Sequence, residues 1–337
     1  MTGPGLTGHV PAAIALSPIL SARYRPQDLE RITAAAPGAR LVMVSRDGHA
    51  DGPLDDVEVL LRGVISADAF DWLLARAPRL QWVHSATAGV ERVLTPAGRA
   101  RGLLITNARG VFSGPIAEYV LMMILAVSRR LPQLLELQHE RTWQPLQGTE
   151  LRDVTVGIVG LGSIGRAVAD LALGFGCRVV ATRRHADGAG GQTTARGIEL
   201  VGGPEALTTV LGQSDFVVLA APLTPETEDL IDVAALATIK PGAWLINVAR
   251  GRLVDERALL RALREGPLGG AILDTFREEP LPATSPFYDL PNVIVTPHTA
   301  WSSGRVLDRS IDLFCENLVH YAAGEPLDNI VDPDAGY

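Results

Sequence analysis

The sequence predicts an α/β protein built from two doubly wound parallel-sheet domains, on three observations. Short, continuously apolar runs alternate with segments of helical length and spacing, in two successive series. A G-x-G-x-x-G, Gly160 to Gly165, follows directly on one such run and opens a helical segment. A chain of 337 residues also exceeds what one hydrophobic core usually serves.

The first series reads as strands at Ala13–Leu16, Leu41–Val44, Val57–Leu61, Leu80–Val83 and Leu103–Thr106. Runs apolar at every position suit strands covered on both faces, and Pro26–Ala35 and Ala67–Ala77 have the spacing of the covering helices. A long helix is expected from Ile116 to Glu140. Its most apolar part, Ile116–Val127, contains Glu118 and falls short of the roughly 20 apolar residues a bilayer-spanning helix needs. The second series counts six strands: Val154–Val159, Arg178–Ala181, Phe216–Leu219, Ala243–Asn247, Ala271–Asp274 and Val293–Val295, with a helix over Arg166–Leu173 after the first. A last helix, Gly304–Ala323, sets Leu307, Ile311, Phe314 and Leu318 on one face. The Gly- and Ala-rich stretch His185–Arg196 reads as a mobile surface loop. Met1–Val10 reads as a loose leader, since it lacks the basic patch and apolar run of a secretory signal.

Composition narrows the functional classes. Hydrophobic residues at 47% and charged residues at 20% describe an ordinary soluble globular protein. A formal charge of −8 without a basic stripe argues against a nucleic-acid surface. Cys177 and Cys315 lie far apart, which makes neither a disulfide framework nor a zinc spacing, so no metal and a cytoplasmic location are expected.

Chemistry enters with the glycine loop. Gly160 permits a tight turn, Gly162 lets a pyrophosphate approach the backbone, and Gly165 allows close helix–strand packing. The helix start beyond, with Leu161, Ser163 and Ile164, offers N–H groups and a positive dipole end to phosphate. An NAD-preferring loop would carry Asp or Glu about 20 residues on. Here the second strand runs out as Thr182-Arg183-Arg184, and guanidinium groups suit a 2′-phosphate, so NADP(H) is expected in preference to NAD(H).

Three further segments carry residues suited to carbonyl reduction, each just past a strand's carboxyl end: Arg250 in Asn247–Gly251, Glu279 in Asp274–Leu281, and His298 in Thr296–Ala300. Hydride delivery to a ketone carbon builds charge on oxygen that a proton must neutralise, and an imidazole titrates near working pH. A carboxylate on the other ring nitrogen would favour imidazolium and fix the ring. A guanidinium can hold a 2-keto acid through carboxylate and carbonyl oxygens.

With these motifs in order, from about Leu80 to Glu316, the chain resembles the D-isomer-specific 2-hydroxyacid dehydrogenases, which include glyoxylate/hydroxypyruvate reductases. Ala117-Glu118, the glycine loop, Ala221–Thr227, the segment around Arg250, Glu279-Pro280-Leu281 and Pro297-His298 carry the resemblance. It implies a Rossmann cofactor domain, residues 109–298, inserted in a flavodoxin-like substrate domain made of residues 1–108 and 299–337. It implies Arg250, Glu279 and His298 as the catalytic triad. It implies Ala88-Gly89-Val90 as the loop receiving the substrate carboxylate, and adds Ala221, Pro222, Thr227, Val248, Ala249, Asp274 and Ala300 to the cofactor contacts, with Arg250 and His298 shared. Trp82, Trp143 and Trp301 are candidates for lining the substrate pocket, Trp301 lying close to His298 in sequence, and a homodimer through the cofactor domain is the family's habit. Formate dehydrogenases resemble the same scaffold but carry Gln where Glu279 stands. Phosphite dehydrogenases keep both Glu and His, and some relatives are nucleotide-sensing corepressors, so those two readings stand as alternatives.

Overall fold

The computed structural model describes residues 8–19, 24–183 and 190–334. Its chain divides into two compact units, Met1–Phe112 with Ser303–Tyr337, and Ser113–Ser302.

The first unit is built on strands β1 (Ala13–Leu16), β2 (Arg40–Met43), β3 (Val57–Arg62), β4 (Trp82–Ser85) and β5 (Leu104–Asn107), all parallel, in the order β2-β1-β3-β4-β5. This is the flavodoxin-like order. Successive side chains point to opposite faces, so both faces need cover. Ile14, Leu16, Val59, Leu61 and Trp82 pack on one side. They meet Ile32 of α1 (Pro26–Ala35). Ala13, Ala15, Val57, Leu60 and Val83 pack on the other, against Phe70, Leu73 and Leu74 of α2 (Ala67–Arg76). The short α3 (Pro96–Ala100) precedes β5. Strand β4 starts two residues later than the apolar run suggests, because buried His84 and Ser85 complete it. Burial with no charged partner pushes the His84 imidazole down to about 3.

The expected helix Ile116–Glu140 is two helices, α4 (Ser113–Ser128) and α5 (Leu131–His139), separated by Arg130 at φ +59°. Pro132 explains the break: it lacks an N–H and its ring clashes with the carbonyl four residues back, so it is accommodated only in the first turn of a new helix.

The second unit carries β6 (Thr155–Val159), α6 (Ser163–Gly174), β7 (Arg178–Thr182), β8 (Gly190–Thr193), β9 (Glu199–Val201), α7 (Ala206–Gln213), β10 (Phe216–Leu219), α8 (Val233–Ala237), β11 (Trp244–Asn247), α9 (Glu256–Glu265), β12 (Gly270–Leu273) and β13 (Val293–Val295). The order is β13-β12-β11-β10-β6-β7-β9-β8, parallel throughout except for the last pair. Among the described residues the sheet therefore has eight strands rather than six. Both additions escaped for physical reasons: β9 has three residues, and β8 reads GGQT, an edge strand without apolar side chains. The strand β8 also corrects part of the expected loop His185–Arg196, while 184–189 lie outside the described residues.

The chain returns to the first unit through α10 (Val306–Ala323), whose Ile311, Phe314, Leu318 and Tyr321 complete the core around Trp82. The end of the expected leader is anchored there. A Cβ on Gly8 would lie 2.6 Å from the Ala323 carbonyl carbon, and His9 Nε2 sits 2.5 Å from a carboxylate oxygen of buried Glu58. Residues 1–7 of that leader lie outside the described residues. Among the described residues no helix is long and apolar enough to cross a membrane, and no group of His, Cys, Asp and Glu could hold a metal ion.

Candidate active site

The glycine loop joins β6, at the middle of the second sheet, to α6, with β7 and β10 on either side. Gly160 has φ +101°, and a Cβ there would lie 2.7 Å from the Ala221 nitrogen. At Gly165 a Cβ would lie 2.2 Å from the Gly160 carbonyl oxygen, whereas at Gly162 it would meet nothing within 4 Å. Two glycines thus serve close packing and the middle one leaves open space. Gly162 is also the N-cap of α6, so no side chain caps the first-turn N–H groups of Ser163 and Ile164, and no acidic residue sits in that turn. Open space beside uncapped amides at a positive dipole end fits a dinucleotide pyrophosphate.

The backbone nitrogens of Gly160 and Leu161 donate to the Thr182 carbonyl at 3.0 and 3.2 Å, which sets the end of β7 beside the loop. Arg183 follows, exposed, and Arg184 lies outside the described residues. On the β10 side, Thr227 is occupied within its own turn. Its hydroxyl donates to the Pro222 carbonyl at 2.7 Å and accepts from the Thr224 nitrogen at 2.7 Å.

The remaining residues come off the carboxyl ends of β11, β12 and β13. Asn247 braces the first loop, accepting from the Ala249 nitrogen at 3.1 Å and donating to the Arg250 carbonyl at 2.9 Å. Buried Val248 and Ala249 lead into half-buried Arg250, whose Nη1 donates to the Ala249 carbonyl at 2.8 Å. Gly251 is required next: a Cβ would come within 1.9 Å of the Phe276 carbonyl carbon, so this loop lies against the following one.

That following loop carries Glu279. Its Oε1 accepts from the Phe276 nitrogen at 3.0 Å, and its Oε2 lies 2.8 Å from His298 Nδ1. Partial burial raises the Glu279 pKa. The bonds from His298 and Phe276 and the positive charges of His298 and Arg250 outweigh it, and hold the carboxyl below its ordinary 4.5. An ionised carboxylate only accepts, so Nδ1 carries the proton in this bond and Nε2 is left for a second partner. Arg250, Glu279 and His298 are therefore brought together, linked pairwise through Glu279.

His298 stands in the left-handed region at φ +50°, its nitrogen donating to the Thr296 carbonyl at 3.0 Å. Asp274, expected among the cofactor contacts, is buried with its carboxylate turned into this loop. It accepts from Thr296 Oγ1 at 2.6 Å and from the nitrogens of Thr299 and Ala300 at 2.8 and 2.9 Å. Tyr119 of α4 reaches Thr296 Oγ1 at 2.7 Å. The support given by Tyr119 and Thr296 was not anticipated; the available signal was a tyrosine on an apolar helix, whose hydroxyl needs a partner when buried. Trp301, half-buried, follows three residues after His298.

In the first unit, the Asn107 side chain donates to the Ala88 carbonyl at 2.8 Å and the Thr87 hydroxyl to the Gly89 carbonyl at 2.7 Å. Across trans peptides this turns the Gly89 and Val90 N–H groups the opposite way, as an anion-receiving turn requires.

Residues 121–300 match the family model described as "D-isomer specific 2-hydroxyacid dehydrogenase, NAD binding domain". The chain is 33% identical over 308 residues to a glyoxylate reductase of Korarchaeum cryptofilum, covering 89% of this chain and 88% of that one. It is 38% identical over 297 residues to the D-3-phosphoglycerate dehydrogenase of Mycobacterium bovis, covering 85% of this chain but 54% of that relative, so it spans about half that protein's length. Among solved structures, the NADPH-dependent glyoxylate/hydroxypyruvate reductase of Sinorhizobium meliloti, in complex with NADP and sulfate, aligns with a TM-score of 0.83 at 30% identity. That alignment covers 96% of this chain and 100% of that one.

The Glu279–His298 pair has a pH signature. A carboxylate whose folded pKa lies below its unfolded value stabilises the fold above the unfolded pKa, and that contribution is lost as pH falls through the folded one. The stability gap between wild type and Glu279→Gln, read by denaturant melts, is therefore expected to be widest above pH 4.5 and to close below it. Half exposure keeps it small. A gap that stays constant into acid would contradict the pairing.

Proposed function

Because the chain belongs to the D-isomer specific 2-hydroxyacid dehydrogenases, we propose that it reduces a small 2-keto acid to the D-2-hydroxy acid, and runs the reverse oxidation on the same groups. The observation that carries this is the 2.8 Å bond between His298 Nδ1 and a Glu279 carboxylate that also feels the charge of Arg250. A nicotinamide cofactor bound at the glycine loop supplies the hydride.

The chain's own residues do the rest. Arg250 binds the acid through its carboxylate and carbonyl oxygens, which fixes the carbonyl carbon and draws charge toward oxygen. His298, with Nδ1 engaged by Glu279, delivers a proton from Nε2 to that oxygen as hydride adds at carbon; in the oxidative direction it takes the proton back. Glu279 orients the ring through the bond to Nδ1. We assign Ser113–Ser302 as the cofactor unit and Met1–Phe112 with Ser303–Tyr337 as the substrate unit, whose Ala88-Gly89-Val90 turn offers backbone amides to an anion.

NADP(H) is the preferred cofactor in this reading. Strand β7 ends without a carboxylate that could take the ribose 2′-hydroxyl, and Arg183 follows it. The Sinorhizobium relative holds NADP, and with the Korarchaeum relative's name it points to glyoxylate and hydroxypyruvate as first substrates to try. A cytosolic location fits the two free cysteines. A homodimer fits α5, which buries none of its residues and exposes Leu131, Leu134 and Leu135, and the fully exposed Trp143 that follows.

Four outcomes test this account. His298→Asn is expected to lower kcat about 100-fold or more while leaving cofactor binding in place, and Arg250→Ala to abolish saturation by the keto acid; wild-type kinetics in either would remove that residue's role. Arg183→Asp is expected to raise the KM for NADPH about 10-fold and not that for NADH, and an unchanged NADPH constant would contradict the selectivity. Light scattering is expected to give a dimer that Leu135→Glu dissociates; a monomeric wild type would refute the interface.

A further inference from the structure

The proton donor of the proposed reaction sits on a backbone conformation that needs support. A non-glycine residue at positive φ persists only where its surroundings over-determine it, and His298 is such a residue. The support comes from one chain of groups anchored on buried Asp274. Asp274 leaves the carboxyl end of β12, and its carboxylate takes three hydrogen bonds, one from before His298 (Thr296) and two from after it (Thr299 and Ala300). It thereby pins both flanks of the turn.

The direction of the bonds follows from the chemistry of the groups. The Thr296 hydroxyl has one proton, and that proton goes to Asp274. Its contact with Tyr119 at 2.7 Å must then be a bond that Tyr119 donates. Burial, and to a lesser degree the Asp274 charge, push the Tyr119 phenol up to about 12, so it keeps the proton it donates. Phenol to hydroxyl to carboxylate is a head-to-tail series in which each bond polarises the next. Thr296 is its middle member, and its own carbonyl accepts from the His298 nitrogen.

We propose that Thr296, held between Tyr119 and Asp274, is a positioning residue for His298: the series Tyr119–Thr296–Asp274 sets the direction of the imidazole without touching substrate. This rests on the reading of His298 as proton donor, but it concerns the orientation of that ring and is testable apart from turnover. Asp274 accordingly acts on the loop, through contacts that need no bound cofactor.

The test compares wild type, Thr296→Val, which keeps the shape and removes the hydroxyl, and Thr296→Ser, which restores the hydroxyl. In histidine-¹⁵N-labelled protein without cofactor, the His298 ring resonances are identified by their loss in His298→Asn. Thr296→Val is expected to displace them and Thr296→Ser to return them. In steady-state assays with glyoxylate and NADPH, Thr296→Val is expected to lower kcat about 10-fold or more with the KM for NADPH within about twofold, and Thr296→Ser to recover most of the loss. Wild-type resonances in Thr296→Val, or a displacement that Thr296→Ser does not reverse, would overturn the proposal. So would a rise in the NADPH KM matching the fall in kcat. Should Thr296→Val fail to fold, Tyr119→Phe removes a single oxygen from the far end of the series, and the same readouts then decide. If wild type turns over no 2-keto acid, the proposed function fails, while the resonance comparison still decides whether Thr296 positions the ring.

Discussion

Everything at the candidate site depends on the parallel register of three neighbouring strands. Asn247 pairs with Leu273 and Leu273 with Val295, so β11, β12 and β13 end level with one another. In a parallel sheet the chain leaves every strand at the same edge, and short loops from level ends must emerge as neighbours. Arg250, Glu279 and His298 are each within six residues of such an end. A register slip of one residue would turn every side chain of the slipped strand to the opposite face and unseat the buried Val, Leu and Ile of the sheet. The apolar core is thus what aligns the polar groups, although none of its atoms takes part in chemistry.

Two carboxylates stand in the same loop region with different work, and their surroundings explain the division. Asp274 is buried and answers three donors from one short segment, which makes it an internal anchor. Glu279 is half exposed, spends one oxygen on the Phe276 amide and keeps the other for His298. A bond to its own loop fixes the carboxylate before the imidazole meets it, so the ring is oriented by something already held. Gly251 adds the steric side of this arrangement, since the Arg250 loop lies so close to Phe276 that a methyl group could not be admitted. The three functional loops brace one another as much as the sheet braces them.

Much of this was legible in the sequence because the signals were periodic or punctuated. Strands Ala13–Leu16, Phe216–Leu219 and Val293–Val295 stand where their apolar runs place them, and the glycine loop opens α6 as its spacing requires. Failures came where apolarity is a poor guide. The polar end of β4 holds His84 and Ser85, buried by neighbours that no local pattern reveals. Strand β8 is Gly-Gly-Gln-Thr, extended because β9 lies beside it. Pro132 marked the break between α4 and α5 in plain view, and the weight of the apolar run hid it. The site shows the same limit. Post-strand positions pointed to Arg250, Glu279 and His298, but the bond from Tyr119 to Thr296 spans 177 residues and belongs to packing that only the folded chain displays.

The order of the second sheet also separates the residue proposed to choose the cofactor from the residue proposed to use it. From β7, where Arg183 follows the strand, to β13, which carries the His298 loop, the sheet passes through β6, β10, β11 and β12, five steps in all. At the usual strand spacing of about 4.8 Å that is about 24 Å. Effects of changes more than roughly 10 Å apart, with no shared partners, tend to add. Thr182, before Arg183, bonds to the glycine loop, whereas His298 is held by Glu279 and the Asp274 series. In the proposed reading, charge at the end of β7 can therefore be altered without disturbing His298. In the proposed reading, a single fold shifts between phosphorylated and unphosphorylated dinucleotides while the groups assigned to the keto acid stay in place.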